Sequence, residues 1–187
     1  PGGVLSAKQL RVIGSIVERY GDNGSCDITT RQNLQLRGIL LGDLPEILRR
    51  LEEAELSTIQ SGFDNPRNVT GNPIAGIDPN EIVDTRPYTD ELEQFLTNNR
   101  KGNPEYSNLP RKWNTAVAGA KDNFLLHNDI AFHPVENNGV MGFGVWIGGI
   151  LSSQMNAYAI PLNAWVRPDE ICRMTDTVIR LWRDNGE

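Results

Sequence analysis

Four cationic side chains lie in short polar motifs and are the residues of this chain best suited to bind an anion. They are Arg31, Arg67, Arg111 and Lys112, in the blocks 29–33, 64–68 and 109–114. A guanidinium group matches the geometry of a carboxylate, and an ammonium group offers a compact positive charge. Because the whole chain carries a net charge of −6, we interpret these cations as specifically positioned. They predict a pocket for a polyanion and a small anionic substrate.

Each motif by itself also has a simpler explanation. The polar block 29–33 interrupts a strand-like pattern, which fits either an exposed edge or a strand end that faces a polar cleft. Arg67 alone would be an ordinary solvated loop arginine. Lys112 and Asn114 alternate along a predicted strand, so their side chains would share one face and could reach the same ligand.

Two further segments are candidates for ligand contact. Gly148 and Gly149 follow an apolar strand and would let a flat ligand approach the backbone, although a tight turn is the more frequent explanation. Asn128, together with Asp129, either orients a ligand or caps a hairpin.

Composition excludes several classes of protein. A chain of 187 residues with 39% hydrophobic residues is typical of a globular protein with one domain or two small ones. The net negative charge argues against general nucleic-acid binding. No apolar run is long enough to span a bilayer, and no signal peptide is recognised. We therefore expect neither a nucleic-acid nor a membrane partner, and a cytoplasmic location.

The cysteine and histidine pattern predicts no metal site within this chain alone. Cys26 and Cys172 are expected to be buried, reduced thiols. Two cysteines cannot supply the four thiolates that an iron–sulfur cluster normally needs. His127 and His133 show no zinc-like spacing with them.

The N-terminal pattern predicts a compact α+β unit of ferredoxin-like character. A capping box of Ser6 and Gln9 opens a helix that ends near Gly21. A strand is predicted over 27–39, with a shift of phase near Gln32. A second capping box (Asp43 and Glu46), a helix and a short strand over 57–61 complete the unit.

The middle of the chain is rich in turn-forming residues. The stretch 62–80 is predicted to be either a linker or, because it contains Arg67, a functional loop. Asp78 and Pro79 have the pattern of a helix start. A further helix is predicted over 85–99.

Strands dominate from residue 111 onward. One strand is predicted over 113–119, and the Asn-Asn-Gly sequence at 137–139 predicts a hairpin between the strands 130–135 and 140–147. Pro168 opens the last predicted helix, and Gly186 ends it.

Taken together and in this order, these motifs resemble the ferredoxin-dependent nitrite reductases and the related assimilatory sulfite reductases. The matching segments are 27–33, 64–69, 73–78, 107–114, 128–132 and 148–152. The resemblance covers nearly the whole chain, and the segment 121–129 is most similar to the cyanobacterial nitrite reductases. One such segment is weak evidence, whereas six in register are strong evidence.

The resemblance implies a fold and cofactors. The fold would be α+β, with a ferredoxin-like half-domain at 1–64 followed by an α/β siroheme-binding-type domain at 65–187. The cofactors would be siroheme and a [4Fe-4S] cluster, which reduce nitrite to ammonia with electrons from ferredoxin. The cluster-ligating cysteines are absent from this chain. Since the chain starts with Pro1, we expect it to be most of the first half of a longer protein, inactive without the missing C-terminal half.

The resemblance also implies roles for individual residues. Arg31, Arg67, Lys112 and Asn114 would face the side of siroheme where nitrite binds, and the same three cations would contact the cofactor. The other expected siroheme-binding residues are Arg111, Asn128, Gly148 and Gly149. Sulfite reductases tend to have a second lysine at the position of Asn114, so asparagine favours nitrite.

Two alternatives stay open at this stage. The chain could belong to a sulfite reductase, or it could be a non-catalytic binding or assembly module of the same fold. Retention of all four cations argues against the module. The location would be the cytoplasm, or the plastid stroma if the source is a plant or an alga.

Overall fold

The computed structural model describes residues 2–121 and 124–186, with the backbone alone at residue 124. The chain divides into two compact units, one of residues 3–59 and the other of Gly2 with the residues from Gln60 onward. Both units mix helices with β-strands, and the predicted α+β class is confirmed.

The first unit begins with helix α1, Ala7–Tyr20. The predicted capping box is present, because the Ser6 hydroxyl accepts from the Gln9 N–H at 3.2 Å and the Gln9 side chain accepts from the Ser6 N–H at 3.0 Å. The buried face of α1 carries Ile13, Ile16 and Val17, at the spacing of an amphipathic helix.

The single strand predicted over 27–39 is wrong, because this segment is a β-hairpin. Strands β1 (Cys26–Ile28) and β2 (Leu34–Leu36) pair antiparallel. The polar block between them forms the turn, in which the Thr29 N–H donates to the Asn33 carbonyl at 2.9 Å and Gln32 adopts a φ of 55°. The shift of phase in the sequence therefore marks a reversal of the chain.

Helix α2, Leu44–Glu53, completes the first unit, but two predictions around it are wrong. The second capping box does not form, because Asp43 already has helical dihedral angles and the Glu46 carboxylate pairs with Arg49. The strand predicted over 57–61 is also wrong, since the chain turns there and the Ile59 N–H donates to the Ser57 hydroxyl.

The second unit is built on a four-stranded sheet of order β3-β4-β5-β8. Its strands, with the short pair β6 and β7, are β3 (Thr115–Val117), β4 (Ile130–Asn137), β5 (Val140–Ile147), β6 (Ile150–Leu151), β7 (Asn156–Ala157) and β8 (Ile160–Val166). β3 runs parallel to β4, and the other pairs are antiparallel. The predicted hairpin is confirmed: Asn138 and Gly139 have φ values of 52° and 79° between β4 and β5.

Part of the turn-rich stretch runs beside this sheet. Pro66 and Thr70 form parallel bridges with Trp113 and Ala116. The segment 66–70 is therefore an extended neighbour of β3. The helix predicted at Asp78 is wrong, because the Asp78 carboxylate accepts from the Asn72 side chain at 2.7 Å and from the Asn80 N–H at 2.9 Å, which holds a turn.

Two helices pack against the sheet and close the core. They are α3, Arg86–Leu96, and α4, Ile171–Asn185, and both match predicted helices. The buried cluster joins Leu92 of α3 and Ile179 of α4 to Phe132 and Phe143 of the sheet. Within the described residues, no helix is both long enough and apolar enough to cross a membrane.

Candidate functional site

Four of the predicted segments, 64–69, 107–114, 128–132 and 148–152, meet at one end of the four-stranded sheet. The segment 66–70 runs parallel to β3, and β3 runs parallel to β4. All three therefore begin at the same end of the sheet. β5 is antiparallel to β4 and finishes there, with Ile147 opposite Ile130. We call this end the motif edge, formed by Arg67, Arg111, Lys112, Trp113, Asn114, Asn128, Asp129, Gly148 and Gly149.

Arg67 is held at the motif edge by its backbone and by its own loop. Its N–H donates to the Trp113 carbonyl at 2.8 Å. Its guanidinium donates to the carbonyls of Ser61 and Phe63, each at 2.7 Å, and its Nε is buried without a hydrogen-bond partner. Burial lowers the pKa of Arg67, but an arginine remains charged at neutral pH. Because these guanidinium hydrogen bonds are to neutral carbonyls, the positive charge of Arg67 can still attract an anion.

Arg111 makes an ion pair that the sequence did not predict. Its Nη2 donates to the Asp129 carboxylate, and its Nη1 donates to the Lys112 carbonyl at 3.0 Å. Its Cζ lies 5.4 Å from the centre of the Trp182 ring, a cation–π geometry. Arg111 is thus partly committed within the protein, while 37% of its side-chain surface remains exposed.

Lys112 and Asn114 differ in exposure although they are two residues apart. Lys112 is exposed, whereas Asn114 is buried. The Asn114 N–H donates to the Asp129 carboxylate at 2.8 Å, and the Asn114 Oδ1 is buried without a hydrogen-bond partner. Rotation of the amide by half a turn would present its NH₂ group to an anion instead. The segment 112–114 thus carries an exposed ammonium and an incompletely satisfied amide two residues apart, and both are groups that a small anion can bind.

Asn128 and the two glycines shape the backbone of the motif edge. The Asn128 side chain donates to the Leu125 carbonyl at 2.7 Å. A Cβ on Gly149 would lie 2.2 Å from the Leu126 carbonyl oxygen, and Gly148 has a φ of 80°. The Asn128 contact closes the turn before β4, and the two glycines hold the end of β5 against the residues before β4.

Arg31 lies in the other unit, on the β1–β2 turn, where it is half-buried. The second unit therefore brings together Arg67, Arg111, Lys112, Asn114, Asn128, Gly148 and Gly149 by itself.

Trp182 contacts the motif edge and was not among the predicted site residues, and Asp129 was predicted only together with Asn128. The rings of Trp182 and Trp113 lie 5.4 Å apart, and both Trp182 and Asp129 contact Arg111. Arg111 and Trp113 are two residues apart, so their side chains share one face of an extended segment, and both contact Trp182.

The described donors fit a polyanion better than a metal cluster. Cationic groups and unsatisfied polar atoms occur at the motif edge. Among residues 2–121 and 124–186, no three His, Cys, Asp or Glu side chains are grouped to hold a metal. Cys26 and Cys172 lie in different units and are free, and burial raises the pKa of the Cys172 thiol to about 12. The described residues therefore do not provide the thiolates of a [4Fe-4S] cluster.

Comparison with known proteins gives two family matches. Residues 62–187 match the nitrite and sulphite reductase 4Fe-4S domain, and residues 1–54 match the nitrite/sulfite reductase ferredoxin-like half domain.

Individual relatives agree with these matches. The ferredoxin–nitrite reductase of Leptolyngbya laminosa is 50% identical over 100% of this chain and 37% of its own length. The chloroplastic ferredoxin–nitrite reductase of Arabidopsis thaliana is 48% identical over 100% of this chain and 32% of its own. The solved structure of the Mycobacterium tuberculosis NirA protein superimposes with a TM-score of 0.88 at 35% identity, over 99% of this chain and 33% of that one. The chain spans about a third of the length of the curated relatives it matches.

Proposed function

The chain belongs to the nitrite and sulphite reductase family, and on this premise we propose that it is the siroheme- and anion-binding part of a ferredoxin-dependent nitrite reductase. The complete enzyme would take electrons from ferredoxin and reduce nitrite to ammonia. The observation that supports this most is the meeting of the Arg67 and Lys112–Asn114 segments at one end of the sheet. Two cations and an amide at neighbouring backbone positions form a suitable receptor for a small anion beside a polycarboxylate.

The cofactors are divided between this chain and the rest of the proposed polypeptide. Bound siroheme supplies the iron to which nitrite binds, and the [4Fe-4S] cluster supplies it with electrons. The cations of the motif edge would hold the carboxylates of the macrocycle. The cluster thiolates would come from the remaining, C-terminal part of the polypeptide, because this chain has only two cysteines.

In this proposal Lys112, an exposed cation of the motif edge, acts on the substrate. An ammonium group stabilises negative charge on a nearby oxygen and can donate a proton from Nζ, which loss of nitrite oxygen as water requires. Arg67 would contribute a permanent positive charge. Asn114 would hydrogen-bond the anion without adding charge, which suits the monoanion nitrite better than sulfite.

The other predicted residues would serve the macrocycle. We assign Arg31 and the exposed part of Arg111 to siroheme carboxylates. Asn128, Gly148 and Gly149 would support the surface on which the ring lies. We propose that the boundary between the half-domain and the siroheme-binding part lies near residue 64. We also propose that the protein is located in the cytoplasm or in a plastid stroma.

We expect the chain of residues 1–187 to be inactive by itself. A non-catalytic module would also lack activity, but it would have no need for clustered cations at the motif edge. Stoichiometric siroheme absorbance together with nitrite turnover by the isolated 187-residue chain would refute the division of cofactors given above.

Substitution of Lys112 in the complete enzyme tests the proposed function. Lys112→Gln keeps a flexible polar side chain, one bond shorter, and removes its charge, so nitrite should bind about tenfold more weakly, the equivalent of about 1.4 kcal/mol. Titration of the siroheme absorption with nitrite measures the dissociation constant directly. Lys101→Gln, an equal change at another exposed lysine, is the matched control and should leave the constant unchanged. Equal constants for the Lys112 variant and the control would remove Lys112 from the site.

A further inference from the structure

We propose that Asp129 is a positioning residue, which holds Lys112 and Asn114 in place at the motif edge without contacting the anion. The inference rests on the proposed function and extends it to a residue outside the predicted site.

The contacts of Asp129 join separate parts of the motif edge. One carboxylate oxygen accepts from Arg111 Nη2, and the other accepts from the Asn114 N–H at 2.8 Å. The Asp129 carbonyl accepts from the Gly148 N–H at 3.0 Å. Asp129 is only 5% exposed. A single buried residue therefore links the 111–114 segment, the residues before β4 and the turn after β5.

Lys112 lies between the two points that Asp129 holds. On one side, Arg111 is bound through its guanidinium, which also donates to the Lys112 carbonyl. On the other side, the Asn114 N–H is bound to the second carboxylate oxygen. The residue after Lys112, Trp113, donates its N–H to the Asn65 carbonyl and accepts from the Arg67 N–H at its own carbonyl. The backbone of Lys112 is thus fixed on both sides, while its side chain is exposed.

Charge explains why this role suits an aspartate that stays away from the ligand. A carboxylate facing the anion would repel it, but the oxygens of Asp129 are directed towards Arg111 and a backbone N–H. Asparagine has the same shape, yet it has no charge and only one acceptor oxygen. It could not satisfy both Arg111 and the Asn114 N–H, so one side of Lys112 would be released.

A double-mutant cycle in the complete, siroheme-loaded enzyme tests the inference. The variants are Asp129→Asn, Lys112→Gln and the pair, and the readout is the nitrite dissociation constant from titration of the siroheme absorption. Asp129→Asn should weaken nitrite binding about tenfold, and adding Lys112→Gln should then change it less than about twofold. Asp169→Asn, the same change at an exposed ion pair with Arg167, is the matched control and should leave the constant unaltered.

The possible outcomes separate the two claims. If Lys112→Gln alone has no effect on nitrite binding, both the proposed function and the inference are wrong. If Lys112→Gln weakens nitrite binding but Asp129→Asn has no effect, only the inference is wrong. The same conclusion holds if the factor by which the double variant weakens binding equals the product of the two single-variant factors. Should Asp129→Asn fail to fold, Asp129→Glu keeps the charge and moves the carboxylate by one methylene. Asp129→Glu should weaken nitrite binding by a smaller factor, and combining it with Lys112→Gln should weaken binding no further than Lys112→Gln alone. An unchanged nitrite dissociation constant for Asp129→Glu would overturn the inference.

Discussion

At the scale of single residues, the ion pair between Arg111 and Asp129 limits which groups of the motif edge remain available to an anion. Lys112 and Asn114 were predicted from residue type and alternation, and both lie at the motif edge. The ion pair of Arg111 with Asp129 joins residues 18 positions apart. It could not be predicted, because the pairing depends on β3 and β4 lying side by side. Residue type therefore suggests a binding role, whereas tertiary contacts decide which groups remain available.

The choice between nitrite and sulfite is a prediction at this scale. In the complete enzyme, Asn114→Lys adds a second ammonium at the motif edge and should favour the more highly charged anion. We expect the ratio of kcat/KM for sulfite to that for nitrite to rise roughly tenfold, as expected for one added charge contact of about 1.4 kcal/mol. Steady-state assays with both substrates measure this ratio.

The control for this prediction adds the same charge elsewhere. Asn80 is exposed and lies near the opposite end of β3, where the Ile82 N–H donates to the Gly119 carbonyl. Asn80→Lys should leave the ratio unchanged. An unchanged ratio in Asn114→Lys would remove the reason for preferring nitrite.

At the scale of secondary-structure elements, local signals were reliable where they agreed with packing. The capping box before α1 and the Asn-Gly turn between β4 and β5 were predicted because their side chains and backbone angles act within a few residues. The β1–β2 hairpin could not be recognised from the sequence, and a single strand was predicted instead. The turn residue with positive φ is Gln32, whereas a glycine would be expected at such a position. The extended segment 66–70 could not be predicted because Pro66 and Asn68 are typical of turns, and only its pairing with β3 shows that it is extended.

One prediction concerns how α3 supports the segment 66–70. The Glu93 carboxylate of α3 accepts from the Val69 N–H at 3.2 Å. Burial raises the pKa of Glu93 above its usual 4.5, and the negative charge of Asp90 raises it further. The hydrogen bond from Val69 and the positive charge of Arg100 act in the opposite direction, but burial is the largest effect. Between the pKa of Glu93 in the unfolded chain and its higher pKa in the folded chain, the folded state binds more protons than the unfolded state. The free energy of unfolding should therefore fall as the pH rises through this range.

Two substitutions at Glu93 separate charge from hydrogen bonding. Glu93→Gln keeps an acceptor for Val69 and should remove this loss of stability on going from pH 4.5 to pH 7. Glu93→Leu leaves the Val69 N–H unsatisfied and should cost about 1–3 kcal/mol at every pH. Denaturant unfolding followed by tryptophan fluorescence measures both, because all four tryptophans lie in the second unit. A Glu93→Gln variant with the same pH profile as the original chain would contradict the assignment.

At the scale of the whole molecule, the chain consists of two compact units. Arg31 lies in the unit of residues 3–59, and the motif edge lies in the other. The order of polar motifs along the sequence predicted the family, because the pattern extends over nearly the whole chain. Sequence patterns did not predict that the motifs of the second unit meet at one end of a sheet. That depends on the parallel pairing of 66–70 with β3 and of β3 with β4, which brings together residues about 60 positions apart.

A crystal structure of the complete enzyme with siroheme and nitrite bound tests the central claim most directly. The measurement is the distance from Lys112 Nζ and from the guanidinium groups of Arg31 and Arg67 to the oxygens of nitrite and of the siroheme carboxylates. We predict hydrogen-bonding distances of about 2.7–3.2 Å to one or other anion for all three side chains. Nitrite bound to siroheme elsewhere, with Lys112 and Arg67 directed into solvent, would contradict the account.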